Sequence, residues 1–69
     1  MSYALFDPVI LTVDLPEQGL RAGTRGAVVE VYEKPRIGYI VEFFDDNGNT
    51  IDVFTVYPEQ LKSGSGNKN

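Results

Sequence analysis

Residues 39–56 read YIVEFFDDNGNTIDVFTV: two runs of β-branched and aromatic residues joined by a segment rich in Asp, Asn and Gly. Such residues are typical of strands. The pair Asn47-Gly48 tolerates the positive φ angles that a tight hairpin turn requires. The stretch therefore predicts a β-hairpin, with strands over residues 39–44 and 50–56 and a turn over residues 45–49.

Strand signals continue on both sides of this hairpin, separated by segments that contain Gly and Pro. The segment over residues 14–26 (DLPEQGLRAGTRG) contains Pro16 and three glycines, which rule out a continued strand. A 3₁₀ turn is predicted over residues 57–61, because Pro58 suits the first position of a helical turn. The other predicted strands are residues 9–13 (VILTV), residues 27–32 (AVVEVY), which lead to the hairpin through residues 33–38, and a short last strand at Leu61.

These strands predict an all-β fold, a small SH3-like barrel of four to five antiparallel strands with a short 3₁₀ turn before the last strand. A chain of 69 residues has room for one domain. We place the barrel domain over residues 1–62. Residues 63–69 (SGSGNKN) contain no apolar residue, so we expect a flexible C-terminal tail there.

Strand alternation predicts which side chains face the barrel core. If Glu30, Glu42 and Asp52 face solvent, their sequence neighbours in each strand point inward. The residues predicted to point inward are Ala27, Val29 and Val31, then Tyr39, Val41 and Phe43, then Ile51, Val53 and Thr55, while Leu11, Leu20 and Leu61 close the barrel ends.

The predicted outer face is more apolar than a solvated sheet face, which would alternate more cleanly. Two interpretations stay open. An apolar patch on a small domain often marks a contact surface for a partner. Alternatively, a β-bulge switches the parity of a strand and would bury half of these residues. The nine residues, six of them apolar, are Val28, Glu30, Tyr32, Ile40, Glu42, Phe44, Asp52, Phe54 and Val56.

The composition argues against catalysis. The chain has no His and no Cys, so the most common general base and the most nucleophilic side chain are missing. Glu30, Glu42 and Asp52 could form a carboxylate cluster, but a barrel of this size offers no deep cleft to dehydrate them. Residues 45–49 also lack the spacing of a calcium loop. We therefore expect a protein that is not an enzyme and has no cofactor and no metal site.

Charge and hydropathy point to another protein as the partner. Ten acidic residues face six basic ones, a net charge of −4, which disfavours nucleic acid and suits a basic protein surface or simple solubility. No apolar run approaches the length of a membrane span, so no membrane association is expected. The start of the chain lacks the pattern of a signal peptide, and the absence of Cys fits a reducing compartment, so we expect a cytoplasmic protein.

Three segments resemble the bacterial family called domain of unknown function 4926: residues 14–23 (DLPEQGLRAG), 26–32 (GAVVEVY) and 39–45 (YIVEFFD). The resemblance extends over residues 5–61, and LPEQGLRAG is its specific part. It implies a small bacterial, especially cyanobacterial, protein with an SH3-like fold, and it brings no established activity and no catalytic residues. Genes of this family tend to lie beside other small uncharacterised genes, an arrangement similar to toxin–antitoxin pairs.

The leading expectation is a non-enzymatic protein-interaction module, an antitoxin- or immunity-like partner of a neighbouring bacterial protein. Homodimerisation is one form that its contact could take. The predicted partner surface consists of Glu30, Tyr32, Ile40, Glu42, Phe44, Asp52 and Phe54.

The alternative expectation is a nucleic-acid-binding accessory domain. Residues 23–28 (GTRGAV) resemble the glycine-turn-strand opening of KOW motifs. Basic side chains at the loop tips would then contact phosphates. They are Arg21, Arg25, Lys34 and Arg36.

Overall fold

The computed structural model of the protein, which describes residues 2–65, is one antiparallel sheet of five strands. The strands are β1 (Pro8–Leu11), β2 (Arg25–Tyr32), β3 (Gly38–Phe44), β4 (Thr50–Val56) and β5 (Leu61–Ser63), and two 3₁₀ helices cover Pro16–Gln18 and Pro58–Gln60. The strand order is β4-β3-β2-β1-β5. The predicted small SH3-like, all-β fold with a 3₁₀ turn before the last strand is confirmed.

The sheet curls because the connection between its two edge strands is short. Only Tyr57 and the 3₁₀ helix Pro58–Gln60 join β4 to β5, and this connection spans roughly 15 Å at most. A flat sheet would hold its first and fifth strands about 19 Å apart. Closing this gap bends the sheet around its apolar face and forms the core inside the curve.

Strand β3, which lies between β2 and β4, supplies the middle of the core, as its alternation predicts. Tyr39, Val41 and Phe43 are fully buried. The predicted barrel-closing leucines are buried as well. They are Leu11, Leu20 and Leu61.

Strand β2 differs from the predicted parity because it contains a bulge. Val28 pairs with Val41 and Glu30 pairs with Ile40, so Val29 is an extra residue without a partner across the strand pair. A bulge of this kind changes which alternate residues face the core.

Val28 was predicted on the outer face, and that prediction was wrong, since it is fully buried. Ala27 and Val29, which were predicted to point inward, are only half-buried and do not belong to the core cluster. Val31, beyond the bulge, packs against the core as predicted.

Strand β4 has the opposite parity to the predicted one. Ile51 and Val53 were predicted inward but are 47% and 49% exposed, and Thr55 is exposed too. The register shifts between Phe43, which pairs with Asp52, and Phe44, which pairs with Thr50. Ile51 is therefore the extra residue of a second bulge.

The core side of β4 is formed by the residues that alternation had placed outside. Asp52, Phe54 and Val56 pair with core residues of β3. Val56 is fully buried and Phe54 packs against the core. The outward placement of Asp52, Phe54 and Val56 was wrong. It assumed that Asp52 faces solvent, whereas Asp52 is half-buried and belongs to the row of residues that faces the core. The open interpretation in which bulges bury part of the outer set is confirmed.

Several segment boundaries also differ from the predicted ones. β1 begins at Pro8 and ends at Leu11, and the loop before β2 contains the 3₁₀ helix Pro16–Gln18. Ser63, predicted at the start of the tail, is the last residue of β5, and the next residue, Gly64, donates its backbone N–H to the Pro8 carbonyl at 2.9 Å. Residues 66–69 of the predicted tail lie outside the described residues.

Candidate interaction surface

The outer side of β2, β3 and β4 presents apolar side chains to solvent. Tyr32, Ile51 and Val53 are 45%, 47% and 49% exposed, and Ile40 and Phe44 are half-buried between them. Strand pairing sets this arrangement, because Ile40 pairs with Thr55 and Glu42 with Val53 on the side away from the core. We call the following set the outer apolar surface: Glu30, Tyr32, Ile40, Glu42, Phe44, Ile51 and Val53.

Five of the seven residues predicted for a partner surface belong to it: Glu30, Tyr32, Ile40, Glu42 and Phe44. Asp52 and Phe54 do not, because the bulge at Ile51 turns them toward the core; the Phe54 ring lies 5.3 Å from that of Phe43. Ile51 and Val53 were missed. One feature of the sequence indicates that Ile51 and Val53 face outward. Alternation groups them with Thr55, a polar residue that a core-facing row would not favour.

The turn between β3 and β4 is fixed by the carboxylate of Asp45. The backbone N–H groups of Asn47 and Asn49 each donate to Asp45 Oδ1 at 2.9 Å. Gly48 takes the positive φ of 84° that the turn requires. The bond from the Asn49 backbone is the main reason that the pKa of Asp45 lies below its ordinary value. The predicted hairpin turn is thus confirmed, and it holds the outer apolar surface at one end.

An ion pair fixes the opposite end of the molecule. The Arg36 guanidinium donates to both carboxylate oxygens of Glu59 at 2.8 Å and lies 4.1 Å from the centre of the Tyr57 ring. The hydrogen bond from Arg36 lowers the pKa of Glu59. A groove beside this pair is lined by Tyr32, Pro35 and Tyr57, among others. One of the four basic residues considered for nucleic acid is therefore engaged with a carboxylate.

The basic residues fall into two groups at opposite ends of β2. Arg25 begins the strand and Arg21 precedes it, whereas Lys34 and Arg36 follow Tyr32, the last residue of the strand. Eight residues of extended chain separate the two groups by roughly 20 Å. Arg21 and Arg25 therefore lie at one end of β2, and Lys34 and Arg36 lie at the other end.

The N-terminal segment carries a second exposed apolar feature that sequence reasoning missed. Phe6 is 76% exposed and has a positive φ of 71°, a region that bulky residues rarely adopt. Its backbone N–H donates to the Val28 carbonyl at 2.6 Å. Tyr3, nearby, donates its N–H to the Tyr39 hydroxyl at 3.0 Å, and burial together with Tyr39 raises the pKa of Tyr3.

Glu30, Glu42 and Asp52 do not form the carboxylate cluster that the sequence left open. Asp52 lies on the core-facing row, whereas Glu42 faces outward. The Glu42 carboxylate accepts a hydrogen bond from the Thr50 hydroxyl. Within residues 2–65, His, Cys, Asp and Glu form no group of three or more that could hold a metal ion. In the same part of the chain, no helix has the length and apolar character needed to cross a membrane.

Comparison with known proteins places the chain in a family. No curated protein matches the sequence, and no solved structure matches it. The model of the family described as Domain of unknown function (DUF4926) matches residues 5–63. This range runs from the turn before β1 to the end of β5 and so contains every strand of the sheet. The chain belongs to the DUF4926 family.

Proposed function

We propose that this protein is a non-enzymatic protein-interaction module and that its partner binds the outer apolar surface. The observation that carries the proposal is the exposure of Ile51 and Val53, at 47% and 49%, on a sheet face directed away from the core. Exposed apolar patches accompanied by charged residues, here Glu30 and Glu42, are typical of contact sites between proteins. Aromatic anchors at the centre of such a site usually supply most of the binding energy.

The charge of the molecule supports a basic partner. The net charge is −4, and residues 38–61 contain five carboxylates and no Lys or Arg. Opposite charges across an interface speed association and disfavour wrong partners. We infer an antitoxin- or immunity-like role in the bacterial cytoplasm, in which the acidic barrel covers a basic surface of a neighbouring protein. The resemblance of the sequence to its family supports this role, and the lack of Cys fits a reducing compartment.

Affinity capture with matched variants tests the proposal. The tagged protein is incubated with nuclease-treated lysate of the source organism, and recovered proteins are identified by mass spectrometry. Ile51→Asp adds a charge to the outer apolar surface and should abolish recovery of a stoichiometric partner. Gln18→Asp adds the same charge on the exposed first 3₁₀ helix and should leave recovery unchanged. Circular dichroism confirms that both variants are folded.

Two outcomes would contradict the proposal. Equal recovery of the partner by Ile51→Asp and the unaltered protein would place the contact elsewhere. Loss of all bound protein on nuclease treatment, with binding that weakens steeply between about 50 and 200 mM salt, would indicate phosphate contacts and favour the nucleic-acid alternative. An apolar contact changes little over that range.

A further inference from the structure

The two edges of the sheet differ in how well they are protected. β5 forms one edge and is three residues long with Lys62 at its centre, both features that discourage pairing with another chain. β4 forms the other edge and runs for seven residues (TIDVFTV) without Pro, Gly, Lys or Arg. β4 contains the bulge at Ile51, and after it residues 52–56 continue as a regular edge of the composition that serves as a template for an added strand.

The backbone of β4 is only partly occupied. Among residues 2–65, β4 pairs with β3 on one side alone, so alternate N–H and C=O groups have no partner in this sheet. The Val53 N–H donates to the carboxylate of Asp52 at 2.8 Å, a bond to a side chain of the neighbouring residue. A carbonyl oxygen of an added strand could accept the Val53 N–H in place of the Asp52 carboxylate, if that carboxylate gains another partner.

The surroundings of β4 are acidic. Glu42 lies beside it on β3, Asp45 and Asp46 lie in the turn before it, and Asp52 lies within it. Of the cations near its ends, Arg36 is bound to Glu59, Arg25 lines a groove with Asp45 and Asp46, and Lys34 lines a groove with Thr55. A second copy of the chain would bring the same carboxylates together, whereas a basic segment would neutralise them.

We propose that β4 binds an extended, basic segment of the partner protein as a sixth strand of the sheet. In this segment β-branched side chains pack on Ile51 and Val53 on the outer side. The alternate side chains are Lys or Arg and lie on the other side, beside Asp52. A cation there draws the Asp52 carboxylate away from the Val53 N–H and frees this donor for the added strand. The inference rests on the proposed function and specifies the partner and its binding mode.

Peptides that vary charge and backbone separately test the inference. The probes are an eight-residue peptide of alternating Lys and Val, the same peptide with Glu in place of Lys, and the Lys peptide methylated on every backbone nitrogen. Amide NMR shifts and hydrogen exchange of residues 50–56 are measured at pH 7. We expect the Lys peptide to slow exchange of β4 amides at least tenfold. The Glu peptide and the methylated peptide should bind at least tenfold more weakly.

Two substitutions at one position provide the matched control. Val53 is half-exposed, so both Val53→Lys and Val53→Thr should fold, which thermal unfolding verifies. Val53→Lys places a cation at the edge and should weaken binding of the Lys peptide at least tenfold. Val53→Thr keeps a β-branched side chain and should bind within about threefold of the unaltered protein. Equal binding by the Lys and Thr variants would overturn the inference.

The remaining outcomes separate this inference from the proposed function. Undiminished binding of the methylated peptide would indicate attraction of charges without strand addition. Slow β4 exchange in the protein alone, with a mass that rises with concentration, would identify a second copy as the occupant. If a captured partner depends on Ile51 but leaves β4 exchange unchanged, the inference fails and the proposed function stands. If neither the Lys peptide nor a partner binds, both fail.

Discussion

Gly26 of β2 lies tight against β3. A Cβ placed on it would lie 2.5 Å from Val41 Cγ1 and 2.8 Å from the Glu42 carbonyl oxygen. The carbonyl belongs to the backbone of β3, a strand paired on both sides, so it cannot rotate away. We expect Gly26→Ala to lower the free energy of unfolding by roughly 1–3 kcal/mol through overpacking. Urea denaturation measures the change.

The control for this prediction is a surface change in the preceding loop. Ala22 is exposed, and Ala22→Ser should alter the free energy of unfolding by less than about 0.5 kcal/mol. An unaltered urea midpoint for Gly26→Ala would contradict the close approach of the two strands.

Asp45 links the stability of one turn to pH. Its folded-state pKa is lowered, chiefly by the hydrogen bond from the Asn49 backbone. A carboxyl whose pKa is lower in the folded state stabilises the protein above its unfolded-state pKa, and this contribution disappears as pH falls through the folded-state value. Asp45→Asn should therefore be less stable than the unaltered protein at pH 7, and the difference should shrink below about pH 4.

Thermal unfolding between pH 2.5 and 7 measures this difference. Asp46→Asn removes the same charge from the neighbouring exposed position, where no hydrogen bond to the carboxylate is found within residues 2–65, so it should have little effect. If the difference in stability between Asp45→Asn and the unaltered protein is the same at every pH, the charge of the carboxylate is not what fixes the turn.

β3 and β4 show how far a strand pattern predicts structure. The inward residues of β3 follow from alternation because the extra residues of both bulges, Val29 and Ile51, lie on its neighbours. The bounds of β4 were predicted correctly, yet its parity was not, since one extra residue reverses every later side chain.

The candidate surface shows the same limit. Its β2 and β3 members were predicted, and Ile51 and Val53 of β4 were missed. Whether a bulge forms depends on how the two strands pack with the rest of the sheet. A single-strand pattern contains no information about that packing.

The parity of β4 can be tested directly. Phe54 packs against the core beside Phe43, whereas Val53 is 49% exposed. We expect Phe54→Ala to cost about 2 kcal/mol or more of unfolding free energy, and Val53→Ala to cost under about 1 kcal/mol. Urea denaturation of both variants measures the two costs. The reverse order would restore the parity that simple alternation predicts.

A buried hydroxyl makes one of the contacts that hold the N-terminal segment to the barrel. Tyr39 is fully buried, and its oxygen accepts the Tyr3 N–H. Tyr39→Phe should cost about 1 kcal/mol, since it leaves a partly buried N–H without this acceptor. Hydrogen exchange should quicken at Tyr3 while Val41 stays protected. Equal protection of Tyr3 in both proteins would show that the segment is held by other contacts.

The balance between charge and the open β4 edge determines how whole molecules behave toward one another. At pH 7 the net charge of −4 keeps copies apart. Near the sequence pI of about 4.5 this repulsion is lost, while the exposed residues Ile51 and Val53 remain at an edge that lacks Lys and Pro. We therefore expect reversible self-association near pH 4.5 that is absent at pH 7, measured by light scattering against concentration.

Two variants with the same charge change separate the edge from net charge. Val53→Lys places a cation on β4, where it opposes edge-to-edge pairing. Gln18→Lys adds the same charge on the exposed 3₁₀ helix Pro16–Gln18. At the pH where each variant has zero net charge, Val53→Lys should remain monomeric and Gln18→Lys should associate like the unaltered protein. If Val53→Lys and Gln18→Lys associate equally, the contact between copies lies away from β4. The acidity of the barrel would then have no role in keeping the β4 edge free for a basic strand.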